Sequence, residues 1–454
     1  MKTLLPAALA LVTLVPTVIQ AQEDTLVVTG GHRFRTEQGD FVPNKWLLIR
    51  DGRIVVMNSK AEPKANRKLE LTDDQYILPG LIDLHAHYNV KLLRKRREEF
   101  HVMPTVYLAN GITVTFSAGE YDPDGMLQLR KRIETGQQIG PRLLNSGPYF
   151  GRVRPGWRNI TEKQIREDVD VWAERGVGGF KAKAIGPDHL KILIDQAHKH
   201  DLTVTGHLDS GYRGSVNPRD AVLMGIDRIE HFLGGDAMPN TKPAYSSLAG
   251  ITADMPEFKK EVELFIKNGT YFDCTITAYG YFGKREEEYD YWVNEREFFT
   301  PYIQEIVKNR KPQVMMQFDA IYRAKLKTIS AYHKAGGKIS LGTDHFSNGN
   351  FLPGFGYHRE LDALVRGGIS PADAIRIGTI NSATAMRIDK DHGSIVAGKV
   401  GDLCIVTGNP LENIRNTRNV NKVVRAGVVH DSKELLESVR GKLGPKDESE
   451  KGAW

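Results

Sequence analysis

Two histidines two residues apart, His85 and His87, follow directly on the apolar run 76–84 of this 454-residue chain. On a strand, alternate side chains share a face, so the two imidazoles would point the same way. Neutral imidazoles are ready ligands for Zn2+ or a similar ion. A bare His-x-His is equally compatible with two polar loop residues, so the rest of the chain has to decide. His207 closes Val204-Thr205-Gly206-His207, and His231 closes Ile229-Glu230-His231. Asp344 stands in Gly342-Thr343-Asp344-His345, and Lys181 in Gly179-Phe180-Lys181. A divalent ion lowers the pKa of a bound water towards ~7 and polarises a carbonyl. A carboxylate beside it, Asp344, can take a proton and return it to a leaving nitrogen. A lysine ammonium cannot ligate a cation. Lys181 joins such a site only when neutral, or as the carbamate formed with CO2, whose oxygens bridge two metals.

These residues need elements to position them. Short apolar runs alternate with longer helical patterns, which argues for βα units and a parallel sheet. Eight strands are expected at 77–85, 111–117, 141–147, 177–183, 202–207, 226–231, 270–276 and 338–343. Eight such units over ~300 residues suit an α/β fold of the TIM-type (β/α)8 barrel, whose functional groups come from the carboxyl ends of the strands. A doubly wound open sheet is the alternative, but the chain has no Gly-x-Gly-x-x-Gly turn to support its nucleotide-binding form. Residues 22–77 and 393–435 read as short strands split by turns such as Asp51-Gly52. They are expected to form one small β-sandwich domain, with the barrel at 78–392. Residues 436–454 read as a charged tail, frayed from 443 onward.

Composition bounds the setting. Hydrophobic residues make up 40% and charged residues 26%, as in an ordinary soluble globular protein. The net charge is +6, but Lys and Arg are scattered, apart from 91–97 and the tail. That pattern argues against a nucleic-acid partner. Met1-Lys2, an apolar stretch over 4–19 and Gln20-Ala21 read as a signal peptide spanning 1–21. The mature protein is therefore expected in the periplasm or secreted, with no membrane contact once the signal is removed. Cys274 and Cys404 both lie in apolar runs far apart, which favours two buried free thiols over a disulfide.

Taken together, the strand-end residues resemble the metal-dependent amidohydrolase superfamily. The resemblance is closest to the branch holding imidazolonepropionase-like and Xaa-Pro dipeptidase-like enzymes. It rests on Pro79-Gly80-Leu81-Ile82-Asp83 leading into His85 and His87, on Lys181 after Phe180, and on His207, His231 and Gly342-Thr343-Asp344. The run Gly393-Ser394-Ile395, Gly398, Gly401-Asp402-Leu403 is also family-like, as is His358-x-Glu360-Leu361. The resemblance implies metal ligation by His85, His87, Lys181, His207, His231 and Asp344, with Asp344 as proton shuttle. It also implies one or two divalent ions, most simply Zn2+, with carboxylated Lys181 in the binuclear case. The chain departs from the pattern at Phe116-Ser117, where Arg-Asp is usual. It also departs at Leu208-Asp209 after the fifth strand and at His345 after the shuttle. These are pocket positions, so substrate assignments do not carry over.

Lys183 competes with Lys181 for the bridging place, since the two are an i, i+2 pair; the Phe180 context favours Lys181. Lys183, Tyr212, Arg213, His345 and His358 are candidate substrate contacts. Arg213 is suited to a carboxylate. Residues 278–325 are rich in aromatics and read either as a surface hairpin or as a lid. The expected function is amide hydrolysis of dipeptides or N-acyl amino acids, in the manner of a dipeptidase or carboxypeptidase. Alternatives are a one-metal hydrolase of cyclic amides or a deaminase, and a binding protein without turnover. The partner is a small molecule or peptide; a homo-oligomer is compatible with the sequence.

Overall fold

A computed structural model describes residues 24–57, 61–93, 95–280, 292–309, 314–345, 352–452 and 454. The chain opens with β1 (Thr25–Arg35), β2 (Asp40–Pro43), β3 (Trp46–Arg50), β4 (Arg53–Met57) and β5 (Arg67–Pro79). There follow β6 (Leu81–Ala86), a hairpin of β7 (Asn89–Leu92) and β8 (Lys95–Glu98), β9 (Ile112–Ser117) and β10 (Arg142–Leu144). Next come β11 (Gly179–Lys183), β12 (Thr203–His207), β13 (Arg228–Glu230), β14 (Tyr271–Asp273) and β15 (Ile339–Ser340). The last strands are β16 (Leu403–Thr407), β17 (Val420–Arg425) and β18 (Val428–Asp431).

The middle of the chain is mixed α/β with parallel sheets. β10, β9 and β6 form one, and β11 to β15 form another in sequence order. Backbone bonds run between them on both sides. Gly178 N donates to Asn145 O at 2.8 Å and Phe150 N to Lys181 O at 2.9 Å; Leu84 N donates to Leu341 O at 2.9 Å. Helices alternate with these strands, some buried all round, as Val102–Ala109 is, and others along one stripe. Glu162–Glu174 turns Ile165, Val169 and Trp172 inward and starts from a capping box between Thr161 and Gln164.

The two chain ends share one eight-stranded sheet, in the order β18-β17-β16-β5-β1-β3-β4, with β2 beside β1. Leu26, Val28, Leu47, Ile49, Ile77, Leu403 and Ile405 form its buried face. This relocates the expected boundary at 77–78. Ile77, Leu78 and Pro79 pair with Ile405, Cys404 and Leu403, so they belong to the end sheet, and the first parallel strand starts at Leu81. The change of sheet falls on Gly80. Its N–H donates to Asp402 O at 2.8 Å, and a side chain there would collide with Thr113.

The chain end also differs from the frayed tail expected for it. Leu443 is fully buried, and its carbonyl accepts from Thr300 N at 2.9 Å. Pro445 is buried beside it, with its carbonyl accepting from Thr300 Oγ1 at 2.5 Å, and Arg97 lies over the Trp454 ring. In the 278–325 stretch, Tyr279, Phe298 and Phe299 pack into the main core rather than over a surface. Residues 281–291 and 310–313 of that stretch lie outside the described residues, as does the expected signal peptide at 1–21. Cys274 and Cys404 are buried free thiols. Among the described residues, no helix is long and apolar enough to cross a membrane.

Candidate metal centre

The centre is built where the parallel strands end. β6 is buried along its whole length and carries His85 near its end, with His87 just beyond; their rings are 5.2 Å apart. Asp344 arrives from the segment after β15. Its Oδ1 lies 2.9 Å from His87 Nε2 and 3.3 Å from His85 Nε2. His231, just past β13, places Nε2 2.8 Å from His207 Nδ1 and 3.8 Å from Asp344 Oδ2. Lys181 Nζ lies 3.4 Å from His85 Nε2 and forms an ion pair with Glu230. All six residues expected at the centre therefore converge, and Lys181 rather than Lys183 is the lysine inside it.

Strained backbone accompanies this convergence. His231 has φ of 70° and Asp344 of 49°, left-handed values that cost a non-glycine residue about 1–3 kcal/mol. Backbone bonds hold both: His231 N donates to Asp273 O at 2.9 Å, and Asp344 N to His85 O at 3.0 Å. Lys325, buried behind His231, donates to the carbonyls of His231 and Cys274. Thr275 Oγ1 stands 2.8 Å from His231 Nδ1 and fixes the ring.

Three carboxylates missed in the sequence complete the setting. Glu230 is fully buried beside Lys181; its Oε1 accepts from Thr205 Oγ1 at 3.0 Å. Asp273 Oδ2 is 3.4 Å from His85 Nδ1. Asp83 accepts from His85 N at 3.0 Å and from Thr343 Oγ1 at 2.8 Å, which ties β6 to the Asp344 segment. The available signal was an acidic side chain inside an apolar strand run, as in Ile229-Glu230 and Phe272-Asp273-Cys274.

Electrostatics favour a cation here. Burial pulls His87 down to about 4, and it holds His207 and His231 well below the usual histidine range, leaving neutral imidazoles. Burial opposes ionisation of Asp344, but His85 and His87 outweigh it and keep the carboxyl well below its ordinary range. Glu230 is likewise brought down to about 2 by His85 and Lys181 against the cost of burial. Burial would lower His85 too, but the Glu230 carboxylate lifts it to about 9. The ligand-capable atoms of His85, His87 and Asp344 lie within 4.8 Å of one another, as do those of His85, Glu230 and His231. Imidazole nitrogens and ionised carboxylates at that spacing fit a divalent ion.

A cavity of about 470 Å³ opens beside the centre, with His207 in its wall. Lys183 and Arg213 line it, together with Arg152, Asp209 and Tyr245. The other expected substrate contacts lie elsewhere. Tyr212 is 52% exposed and is not among the lining residues. His345 is buried with Nε2 3.1 Å from Thr277 Oγ1, because the left-handed turn at Asp344 sends the next side chain inward. His358 is on the buried face of helix Phe355–Arg366, with Nδ1 3.2 Å from Thr417 Oγ1 and its ring against Trp292. Glu360 of the same helix caps the loop after β14, accepting from Ile276 N at 2.7 Å and Thr277 N at 2.8 Å.

Comparison with known proteins adds three findings. The chain matches the amidohydrolase family over residues 76–238 and 304–430. It is similar to an N-acetylglucosamine-6-phosphate deacetylase of Bacillus subtilis, 23% identical over 217 residues, or 43% of this chain; the match spans about half that relative's length, at 53%. In fold it is similar to a Xaa-Pro dipeptidase with methionine bound in the active site. That likeness has a TM-score of 0.67 at 19% identity and covers 90% of this chain and 100% of the other. It is also similar to the ochratoxinase of A. niger, with a TM-score of 0.65 at 19% identity over 93% and 100% of the two chains.

Proposed function

From the amidohydrolase family, to which this chain belongs, we propose a metal-dependent hydrolase that cleaves the amide bond of a dipeptide or N-acyl amino acid. Family membership makes it a hydrolase of carbon–nitrogen bonds, on a fold whose family implies a TIM-like barrel. The observation that carries the reading is the convergence of His85, His87, His207, His231 and Asp344 at strand ends. Those residues would hold a divalent ion, Zn2+ by the chemistry of the donors. Such an ion supplies an acidified water and a polarised carbonyl when bound.

The chain's own residues account for the remaining steps. Asp344 Oδ1, kept ionised, takes the proton from the attacking water and delivers it to the leaving nitrogen. Thr275 and Lys325 hold His231 in its strained place, and Asp83 holds the Asp344 segment against β6. The cationic cavity next to His207 receives the carboxylate of the substrate.

Lys181 bears on the number of ions. Unmodified, it pairs with Glu230, which favours one ion and supports the second reading, a cyclic amide hydrolase or deaminase. Carboxylated, it would bridge two ions, and Glu230 would have to turn away or take up a proton to avoid like-charge repulsion.

The test is to load the protein with Zn2+ and screen dipeptides and N-acyl amino acids for released amino acid. Cleavage lost on chelation and restored by Zn2+ supports the reading. A loaded protein that cleaves none of them would overturn it and leave a binding role. The proposal extends to a closed eight-strand barrel with a β-sandwich at the chain ends. It extends also to removal of 1–21 and work in the periplasm or outside the cell. Amino-terminal sequencing of the cell-exported protein checks the last point.

A further inference from the structure

The cavity beside the centre carries more positive charge than one carboxylate needs. Lys183 lies two residues beyond Lys181 on β11 and pairs in register with His207 on β12. Of the cations lining the cavity, it is therefore the one beside His207 on the sheet. Arg213 comes from the loop after β12, and Arg152 from the loop after β10. Asp209 is the one carboxylate among the lining residues, and its Oδ1 is occupied by Ser210 N at 2.8 Å and Ala244 N at 3.2 Å. Among the described residues, neither Lys183 nor Arg213 forms an ion pair; Lys183 Nζ lies 5.6 Å from the centre of the Tyr149 ring and is attracted from further off by Asp344 and Glu230.

Phe232 and Ala244, both buried, add apolar surface to the same cavity. Lys183 is the inner, less exposed cation of the cavity, while Arg152 and Arg213 stand at its exposed mouth. The loop that carries the outer cation is also held in place. Arg152 donates to Ala184 O at 3.3 Å and to the carbonyl of Arg213, which ties the Arg213 loop to the end of β11. Two cations in one concave site, neither in an ion pair and one nearer the centre than the other, match two anionic groups on one ligand.

We propose that the cavity takes the leaving half of the substrate as a dianion, with its α-carboxylate at Lys183 and a second carboxylate at Arg213. The substrate is then an amide whose amine half is aspartate or glutamate. This inference rests on the amide-hydrolase reading above.

Matched substrates differing only in that charge test it: Ala-Glu against Ala-Gln, and N-acetylglutamate against N-acetylglutamine, on the Zn2+-loaded full chain. One charge-assisted contact predicts a kcat/KM preference for the acidic member of about 10- to 100-fold. The preference shrinks as salt is raised. Arg213→Gln brings the ratio towards one. A readout that does not need turnover is the rise in melting temperature given by free L-glutamate over free L-glutamine, which Arg213→Gln abolishes. Equal rates on the matched pairs, with equal shifts, overturn the dianion subsite and leave amide hydrolysis standing. No cleavage, but a glutamate-specific shift dependent on Arg213, keeps the subsite and overturns the reaction. Absence of both overturns both.

Discussion

Asp273 Oδ2 faces His85 Nδ1 at 3.4 Å, on the side of the ring away from Asp344. Both groups are buried, Asp273 completely. A carboxylate behind a ligating imidazole fixes the ring and sharpens its other nitrogen as a donor. Asp273→Asn is expected to lower Zn2+ affinity by about 10- to 100-fold. Competition against a chromogenic chelator measures it, and unchanged affinity would remove this role from Asp273.

The same approach explains why a glycine precedes Thr343-Asp344. A Cβ on Gly342 would lie 2.5 Å from the Cβ of His85 and closer still to the Asp273 carboxylate. Gly342→Ala is expected to cost about 1–3 kcal/mol through overpacking. Denaturant unfolding of the metal-free chain reads the loss, and a variant as stable as the parent would contradict the crowding.

Asp344→Asn keeps the shape of the side chain and removes its basicity. The variant is expected to fold and to retain metal, while kcat falls by about 10²- to 10⁴-fold. Metal content and turnover are measured on the same sample. Normal turnover would reassign the proton shuttle.

Glu120 gives a pH dependence away from the metal. It is buried beyond β9, accepting from Ser117 Oγ and from Asn145 Nδ2 at 2.8 Å. Burial raises its pKa from 4.5 to about 8, outweighing those hydrogen bonds. As pH rises between those values, the unfolded chain gives up this proton before the folded chain does. Stability therefore falls across that window, by up to about 1.4 kcal/mol per pH unit. Glu120→Gln cannot titrate, so it should gain stability relative to the parent as pH rises. Unfolding curves across the window that stay parallel for the two proteins would rule this out.

Chelation is expected to lower the melting temperature as well as abolish activity, since a ligand at a thousand times its Kd stabilises by about 4 kcal/mol. Elemental analysis of the reloaded protein then counts ions per chain. Two ions favour a carboxylated Lys181, which 13C NMR of protein equilibrated with 13C-labelled bicarbonate would show as a carbamate carbon; one ion with no such signal fits the Lys181–Glu230 pair.

Much of the centre was legible in the sequence because strand ends are. An apolar run that stops at a histidine carries both the address and the chemistry, and His85, His87, His207 and His231 all have that form. Asp344 followed from Gly342-Thr343 in the same way. Glu230 and Asp273 were hidden because a strand places its acids as readily towards solvent as towards the centre, and periodicity does not separate the two faces. His345 and His358 went astray because neighbours in sequence part company at a left-handed residue or on a helix face. The first strand was drawn one segment too early. The apolar run crosses Gly80 without a break in hydrophobicity, and only pairing with β16 shows that it serves two sheets.

That pairing has a consequence for biosynthesis. Ile77 is the register partner of Ile405, and the strand holding Ile77 leads through Gly80 to His85. The partner of the strand that leads to the first two histidines emerges from the ribosome roughly three hundred residues after they do, a separation that makes pairing slow. Until then β5 offers a bare edge on that side, the kind of surface chaperones and stray strands seek. The strand that leads to the histidine pair is thus made early and closed on this side only when the end of the chain has been made.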